Sequence, residues 1–304
     1  MVDDDSSDNT AAIAADWAAR DPRMRLIQRG RLGLAAGPNL AISQRGEAPF
    51  IARFDGDDVC RPDRLEKQLA FFSANPDVDI LDSRFALNEE AEESAGGMVR
   101  YRNWHDSIES HSDFAGEFLV ENPICHPASM FRSEVLHRLD QPDAPYRSGD
   151  FPEDYDLWLR LYRAGCRFHK LQERLVLWRD RPSRTTRTDP AFRKEAFFGL
   201  KWDHLTKLVD IASERIVVWG AKKGGKPWIR ALSEAGHPPV VVVDIDPAAI
   251  GKTRRGVPVI APEGLRRSEA DRVLIAVGSA GARTLIEAKL SQLGLPHLAV
   301  TGLA

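Results

Sequence analysis

Three short acidic phrases mark where this chain has the residue types for chemistry. Asp55, Asp57 and Asp58 close the apolar segment 50–54 in a single turn. Carboxylates crowded in this way repel one another unless a cation or hydrogen-bond donors compensate, so the turn reads either as a divalent-metal site or as a solvated loop end. Glu153 and Asp154 stand directly before Tyr155-Asp-Leu-Trp-Leu-Arg, at the first turn of an amphipathic helix. Acids there complement the helix dipole, and ordinary capping acids occupy the same place. Val2-Asp-Asp-Asp-Ser-Ser-Asp-Asn-Thr precedes another helix. Its carboxylates and hydroxyls suit hydrogen bonds to a ligand or a plain N-cap, for which Asp8 is the simplest candidate.

Alternating helical and extended segments must hold these phrases. Alanine-rich residues 11–19 and residues 34–43 suit helices, and 25–28 and 50–54 suit strands. Pro62 opens a helix that runs to residue 74, with Leu65, Leu69 and Phe72 at helical spacing, and residues 78–82 form the next strand. From 88 to 114 no period survives, as expected of a variable surface excursion. Order resumes at 128–131 and in a helix at 155–163. A basic, turn-rich stretch then begins at Arg181 and leads to a helical pattern at 191–208. Strands at 215–219, 240–243 and 273–277, with Gly220-Ala-Lys-Lys-Gly-Gly and a helix after the first, make a second α/β unit with a parallel sheet. The expected domains are therefore 1–185, a helical linker at 186–212, and 213–304.

Bulk properties narrow the partners. The 304 residues carry 42 Lys and Arg against 45 Asp and Glu, a net charge of -3 that gives no global attraction to nucleic acid or anionic lipid. Cys60, Cys125 and Cys166 are odd in number and widely spaced, which argues against a disulfide framework or a structural zinc and fits a reducing cytoplasm. No run approaches the roughly 20 apolar residues of a membrane span, which leaves peripheral contact with the inner face of a membrane open.

Taken together and in order, the phrases resemble glycosyltransferase family 2, the inverting GT-A enzymes that build bacterial polysaccharides and related glycans. Residues 2–10 resemble the family's V-D-D-G-S-x-D-x-T turn, and Gly33-Leu-Ala-Ala through Asn39 to Gly46-Glu resembles its next stretch. Ile51-Ala-Arg-Phe-Asp-Gly-Asp-Asp is similar to I-A-x-x-D-x-D-D. Arg61-Pro-Asp-Arg-Leu-Glu-Lys-Gln, Asn122-Pro-Ile-Cys-His-Pro and Glu153-Asp-Tyr-Asp-Leu-Trp-Leu-Arg complete the set, which spans about residues 2–182.

The resemblance implies transfer of a sugar from a nucleotide-sugar donor, a UDP-sugar first of all, to a glycan or lipid-linked acceptor. Mn²⁺ or Mg²⁺ would neutralise the diphosphate leaving group. It implies Asp57 as metal ligand, Asp55 at the ribose or metal shell, Asp4 at the nucleotide base, and Asp154 as general base with Glu153 as runner-up. Single displacement by one base inverts the anomeric centre. His126, in the matching Asn-Pro segment, is a donor or acceptor contact or a structural residue. Arg179 and Arg181 close on the diphosphate or form a solvated basic loop.

Two departures from the family pattern bear on these expectations. Asp5 stands where the family has Gly. The family's V-x-V-I-I-P-x-Y-N strand and the helix after it have no counterpart here, so the expectation is a GT-A fold lacking its first strand, with an exposed strand edge. The competing function is a catalytically inactive nucleotide-sugar-binding or scaffold protein.

In the second domain, Gly220, Gly224, Gly225 and Lys223, followed by Asp244, have the layout of a phosphate or dinucleotide site, with Lys222 and Lys226 as further contacts. The G-x-x-x-G-G spacing weakens a nicotinamide assignment. The stretch resembles the Rossmann-like sugar-nucleotide-binding domain attached to some bacterial acyltransferases, and a structural or docking role stands beside ligand binding.

Overall fold

The computed structural model describes residues 1–303 apart from 94–95, 182–183, 267–269, 280 and 297. Pro182 and Ser183 of the basic, turn-rich stretch therefore lie outside the described residues. The chain forms two compact units: Met1–Phe114 with Pro123–Leu200, and Ala115–Asn122 with Lys201–Ala304. Both are α/β, the class expected from the sequence.

The first unit opens with β1 (Val2–Asp4), α1 (Thr10–Arg20), β2 (Ile27–Arg29), α2 (Ala36–Ser43), β3 (Phe50–Ala52), β4 (Val59–Cys60), α3 (Arg64–Ala74) and β5 (Ile80–Leu87). It continues with α4 (Glu89–Glu93), α5 (Gly97–His105), α6 (His111–Glu117), β6 (Met130–Arg132), α7 (Glu153–Arg163), β7 (Phe168–Trp178), α8 (Thr185–Thr188) and α9 (Lys194–Leu208), the last of which runs into the second unit. β1 and β2 pair in parallel, and the other strands form a mixed sheet in the order β3-β6-β5-β7-β4. β5 and β7 are its only parallel neighbours among the described residues.

Two sequence expectations are corrected here. Residues 88–114 are not a surface excursion: they contain α4, α5 and much of α6, and they bury His105, Ile108 and Phe114. Tyr101 stacks on Phe85 and meets Trp178 edge-on. The helices of this segment are 5, 9 and 7 residues long, too short for a 3.6-residue period to stand out. The second correction concerns α3, whose Leu65 and Leu69 are exposed while Arg64, Gln68 and Phe72 face inward. The inward polar residues have partners at the site, described below. β7, unread in the sequence, is the longest strand at 11 residues, and its pattern is broken by Lys170, Gln172, Glu173 and Arg174.

The second unit contains β8 (Ile216–Trp219), α10 (Gly225–Glu234), β9 (Val241–Val243), β10 (Thr253–Arg254), β11 (Val257–Ile260), β12 (Arg272–Ile275), α11 (Ala282–Gln292) and β13 (Ala299–Gly302). Its sheet order is β10-β11-β9-β8-β12-β13, parallel except for β10. The chain moves outward from β8 on one side and then crosses to β12, the doubly wound arrangement. Val217, Trp219, Val243, Val273, Ile275 and Leu290 lie in its core.

The turn after β1 carries the departure noted at position 5. Asp5 has φ 68, in the left-handed region that glycine occupies without steric cost. Asp5→Gly is expected to raise unfolding stability by ~0.5–1 kcal/mol in urea titration, net of the extra freedom glycine gives the unfolded chain.

Candidate active site

The acidic turn is tied to its neighbours through Arg53. Leaving β3, the Arg53 N–H donates to Ser129 O at 2.9 Å, and Asp58 N–H closes the turn on Asp55 O at 3.1 Å. The Arg53 guanidinium pairs with Asp55 at 2.9 Å and donates through Nε to His126 Nε2 at 3.2 Å. That same nitrogen lies 2.8 Å from the Tyr146 hydroxyl. Burial first, and then the Arg53 charge, hold His126 well below its ordinary pKa, so it is neutral. Asp57 is exposed at the tip. Asp58 is buried: Oδ1 accepts from Arg179 N–H at 2.9 Å, and Oδ2 has no hydrogen-bond partner among the described residues. Burial, with the charges of Asp57 and Asp55 adding to it against the Arg179 bond, lifts the Asp58 carboxyl to about 6.

The fold brings the second acidic phrase to the first. Glu153 begins α7 and is 9% exposed, with Oε2 unpartnered among the described residues. Burial, then the neighbouring Asp154 charge, raise Glu153 to about 8; Asp55 adds to the shift and Arg53 opposes it. Groups from both acidic phrases thus share one electrostatic environment. Asp154 Oδ1 accepts from Tyr155 N–H at 2.7 Å. A pair of neighbouring carboxyls in such a place divides its roles, one holding its proton and the other its charge.

The other sequence candidates are placed as follows. Asp4 accepts backbone N–H bonds from Leu32 and Gly33, while the adjacent Asp3 is 5% exposed with an unpartnered Oδ1 among the described residues. Alternate strand residues face opposite sides. Asp3, Asp5, Ser6, Gln28 and Arg29 are among the residues lining a cavity of about 430 Å³, and Asp4 is not. Asp8 Oδ1 accepts from Thr10 N–H at 2.9 Å, a local bond from the residue before the N-cap of α1, which is Asn9 and makes no side-chain capping bond. Arg179 holds Asp58 through its backbone, and Arg181 is exposed. Beyond it, Arg184 lies over the Trp178 ring at 4.2 Å and pairs with Asp180 at 3.5 Å.

In the second unit, Gly224 and Gly225 are demanded by packing. A Cβ on Gly224 would meet Ala276 O at 2.2 Å, and one on Gly225 would meet Gly220 O at 1.7 Å. Asp244 accepts from Ala221 N–H at 2.7 Å and Asp246 N–H at 2.8 Å, and Lys222 pairs with Asp246 at 2.8 Å. Lys223 and Lys226 are exposed.

Sequence reading missed the groups that hold the site from behind. Arg64, 2% exposed, donates through Nη2 to Arg53 O at 2.8 Å and Ser129 O at 3.1 Å, and through Nε to Gln68 at 3.1 Å. Gln68 donates to Ala128 O at 2.9 Å. Lys170, fully buried and lowered by burial to about 8, donates to His105 O at 2.7 Å and Pro123 O at 3.1 Å. Asp82 Oδ2 contacts His105 Nε2 at 2.7 Å and accepts from Cys125 N–H at 3.2 Å. Both clusters pin residues 123–129, the segment that presents His126. The one signal for them in the sequence is a long polar side chain inside an otherwise apolar periodic element.

Among the described residues no three His, Cys, Asp or Glu side chains converge as a metal cage. A divalent ion that serves a diphosphate does not need one, because one or two carboxylates and the substrate's own oxygens complete its shell. Hard oxygen donors at Asp57 and the orphaned Asp58 Oδ2 fit that requirement. Asp55, already paired with Arg53, is the less available carboxylate.

The first unit thus brings Asp55 of one acidic phrase and Glu153 of the other within electrostatic reach, with a neutral histidine bonded to the Arg53 that both feel. Residues 1–139 match the family model described as glycosyl transferase family 2, and this part of the chain is a family 2 glycosyltransferase domain. The chain is 31% identical over 199 residues to the putative glycosyltransferase EpsE of Bacillus subtilis (strain 168), covering 65% of each chain. It is 30% identical to the O-antigen biosynthesis glycosyltransferase WbnJ of Escherichia coli, covering 60% of this chain and 66% of that one. To the UDP-Gal:alpha-D-GlcNAc-diphosphoundecaprenol beta-1,3-galactosyltransferase of E. coli it is 31% identical, covering 48% of each. The chain thus spans about half to two thirds of these relatives' lengths. Among the described residues no helix is long and apolar enough to cross a membrane.

Removing the Arg64 fork leaves buried carbonyls without donors, so Arg64→Met is expected to lower unfolding stability by roughly 2–4 kcal/mol in denaturant titration. Glu153 gives a pH signature. Its folded pKa is raised, so the folded state keeps a proton that the unfolded chain releases above its ordinary value of 4.5. Its contribution is full below that value and declines as pH rises towards about 8. Glu153→Gln should flatten the stability profile across that window, with the variant gaining on the parent as pH increases.

Proposed function

We propose that the first unit catalyses inverting transfer of a sugar from a UDP-sugar to a hydroxyl of a glycan or lipid-linked acceptor in cell-surface polysaccharide synthesis. The observation that carries this reading is the meeting of the Asp55–Asp58 turn with Glu153 and Asp154, the buried Glu153 responding to charges from both phrases. The names of the relatives support it: one acts from UDP-Gal on a diphosphoundecaprenol-linked sugar, and another serves O-antigen synthesis.

In this mechanism Asp154 takes the proton from the acceptor hydroxyl as that oxygen attacks the anomeric carbon. Glu153, protonated near neutral pH, adds no second negative charge beside it and leaves Asp154 ionised to act. Asp57, with Asp58, would hold Mn²⁺ or Mg²⁺, which would supply the positive charge that neutralises a departing diphosphate. Arg53 keeps Asp55 oriented and His126 neutral, so His126 accepts or donates hydrogen bonds without adding charge. The cavity beside Asp3 and Asp5 takes the nucleotide base. Arg179 and Arg181 sit on the segment that leaves the Asp58 contact, from which their guanidinium groups would pair with the phosphates.

Calorimetric titration with UDP should show binding that requires Mn²⁺ and is lost in Asp57→Ala. With a competent acceptor, Asp154→Asn should lower turnover by about 10²–10⁴-fold. Parent-like turnover in Asp154→Asn would remove that residue from the mechanism, and UDP binding without any turnover in the parent would favour a binding or scaffold role.

A further inference from the structure

The second unit carries a cationic cleft that the reading of the first unit does not use. Lys226, Pro227, Ile229 and Arg230 of α10 face Arg254 and Arg255 across a cavity of about 360 Å³. The volume falls within the roughly 300–1,000 Å³ typical of small-molecule sites. Arg254 donates through Nε to Ala221 O at 3.1 Å, which fixes one wall against the loop after β8. Arg255 pairs with Glu234 at 3.2 Å near the end of α10. Among the described residues Lys226 and Arg230 have no acidic partner. Four cations therefore face one cavity with a single carboxylate among them, an arrangement whose repulsion is relieved by an anion.

The hairpin that brings two of these cations into place is strained in a telling way. β10 and β11 pair Arg254 with Val257, leaving Arg255 and Gly256 as a two-residue turn with φ 52 and 84. Such turns need positive φ at both positions and favour Asn-Gly or Asp-Gly. Arginine at the first position is unfavourable for the backbone, so its side chain is the reason for its presence.

We propose that this cleft binds a small phosphorylated ligand through a diphosphate group, independently of the transferase reading. Guanidinium forks match phosphate oxygens bidentately. On α10 the cations Lys226 and Arg230 stand four residues apart, about 6 Å of helix, longer than one phosphate and suited to charge spread over two. Pro227 and Ile229 supply an apolar wall for the uncharged part of the ligand.

The test is calorimetric titration of the full chain with inorganic pyrophosphate and with inorganic phosphate. It is done in the Asp57→Ala background with EDTA present, so that the carboxylate turn of the first unit takes no part. Pyrophosphate should bind more tightly than phosphate, and the affinity should fall with added salt. The double variant Lys226→Ala/Arg230→Ala should bind about tenfold or more weakly. Lys207→Ala, on α9, should bind as the parent does. Both cleft positions are exposed, and an unchanged thermal melt of the double variant verifies that it is folded. Absence of pyrophosphate binding, equal binding by the double variant, or an equal loss in Lys207→Ala would overturn the proposal. So would a glutamate-rich peptide that binds the cleft where pyrophosphate does not.

Discussion

The buried guanidinium of Arg64 is the constraint around which the first unit's site is organised. One side chain on α3 bonds the carbonyls of Arg53 and Ser129 and the amide of Gln68, which in turn bonds Ala128. Arg53 leads into the acidic turn, and Ser129 follows the segment of His126. A planar cation with several fixed donors can satisfy backbone acceptors from two strands at once, which an apolar residue cannot do. The relative position of the acidic turn and the histidine segment therefore follows from a polar contact in the core. The exposed leucines of α3 show how fully that contact overrides apolar pattern on this helix.

A second buried polar cluster works on the same segment from the other side. Lys170 on β7 and Asp82 on β5 hold the backbone at Pro123 and Cys125, and β5 and β7 are the parallel neighbours at the middle of the mixed sheet. Breaking one partner of such a cluster leaves an uncompensated charge, so these groups specify one arrangement strongly. With Arg64 they hold residues 123–129 rigidly enough for a neutral imidazole to stand between Arg53 and Tyr146.

Electrostatics in the site are divided. Asp58 and Glu153 are lifted by burial, whereas Asp57 stands at the exposed tip. The fold thus keeps the Glu153 carboxyl protonated near neutral pH and offers others as charge, a division that suits one group to hold a cation and another to move a proton. In the functions proposed, the two units would handle anions by different means: carboxylates suited to a bridging cation in the first, and arginine and lysine side chains of α10 and the β10–β11 hairpin in the second.

Much of this was legible in residue order. The acidic turn, Glu153-Asp154, the Asn-Pro segment with His126 and the family they resemble stand in the sequence because such chemistry demands particular residue types at close spacing. The β8–α10–β9 unit was legible from its apolar runs and glycine punctuation, and the glycine missing at position 5 reappears as a positive φ at Asp5. The tertiary structure alone decided which carboxyls are buried, and hence that Glu153 holds its proton near neutral pH while Asp58 is lifted only to about 6, because desolvation depends on neighbours distant in the chain. It also turned Asp3 rather than Asp4 to the cavity, made a packed helical layer of 88–114, and gave α3 its inward Arg64. Hydrogen bonds between remote backbone segments leave no period in a sequence, so a charged residue bound for the core looks there like one bound for solvent.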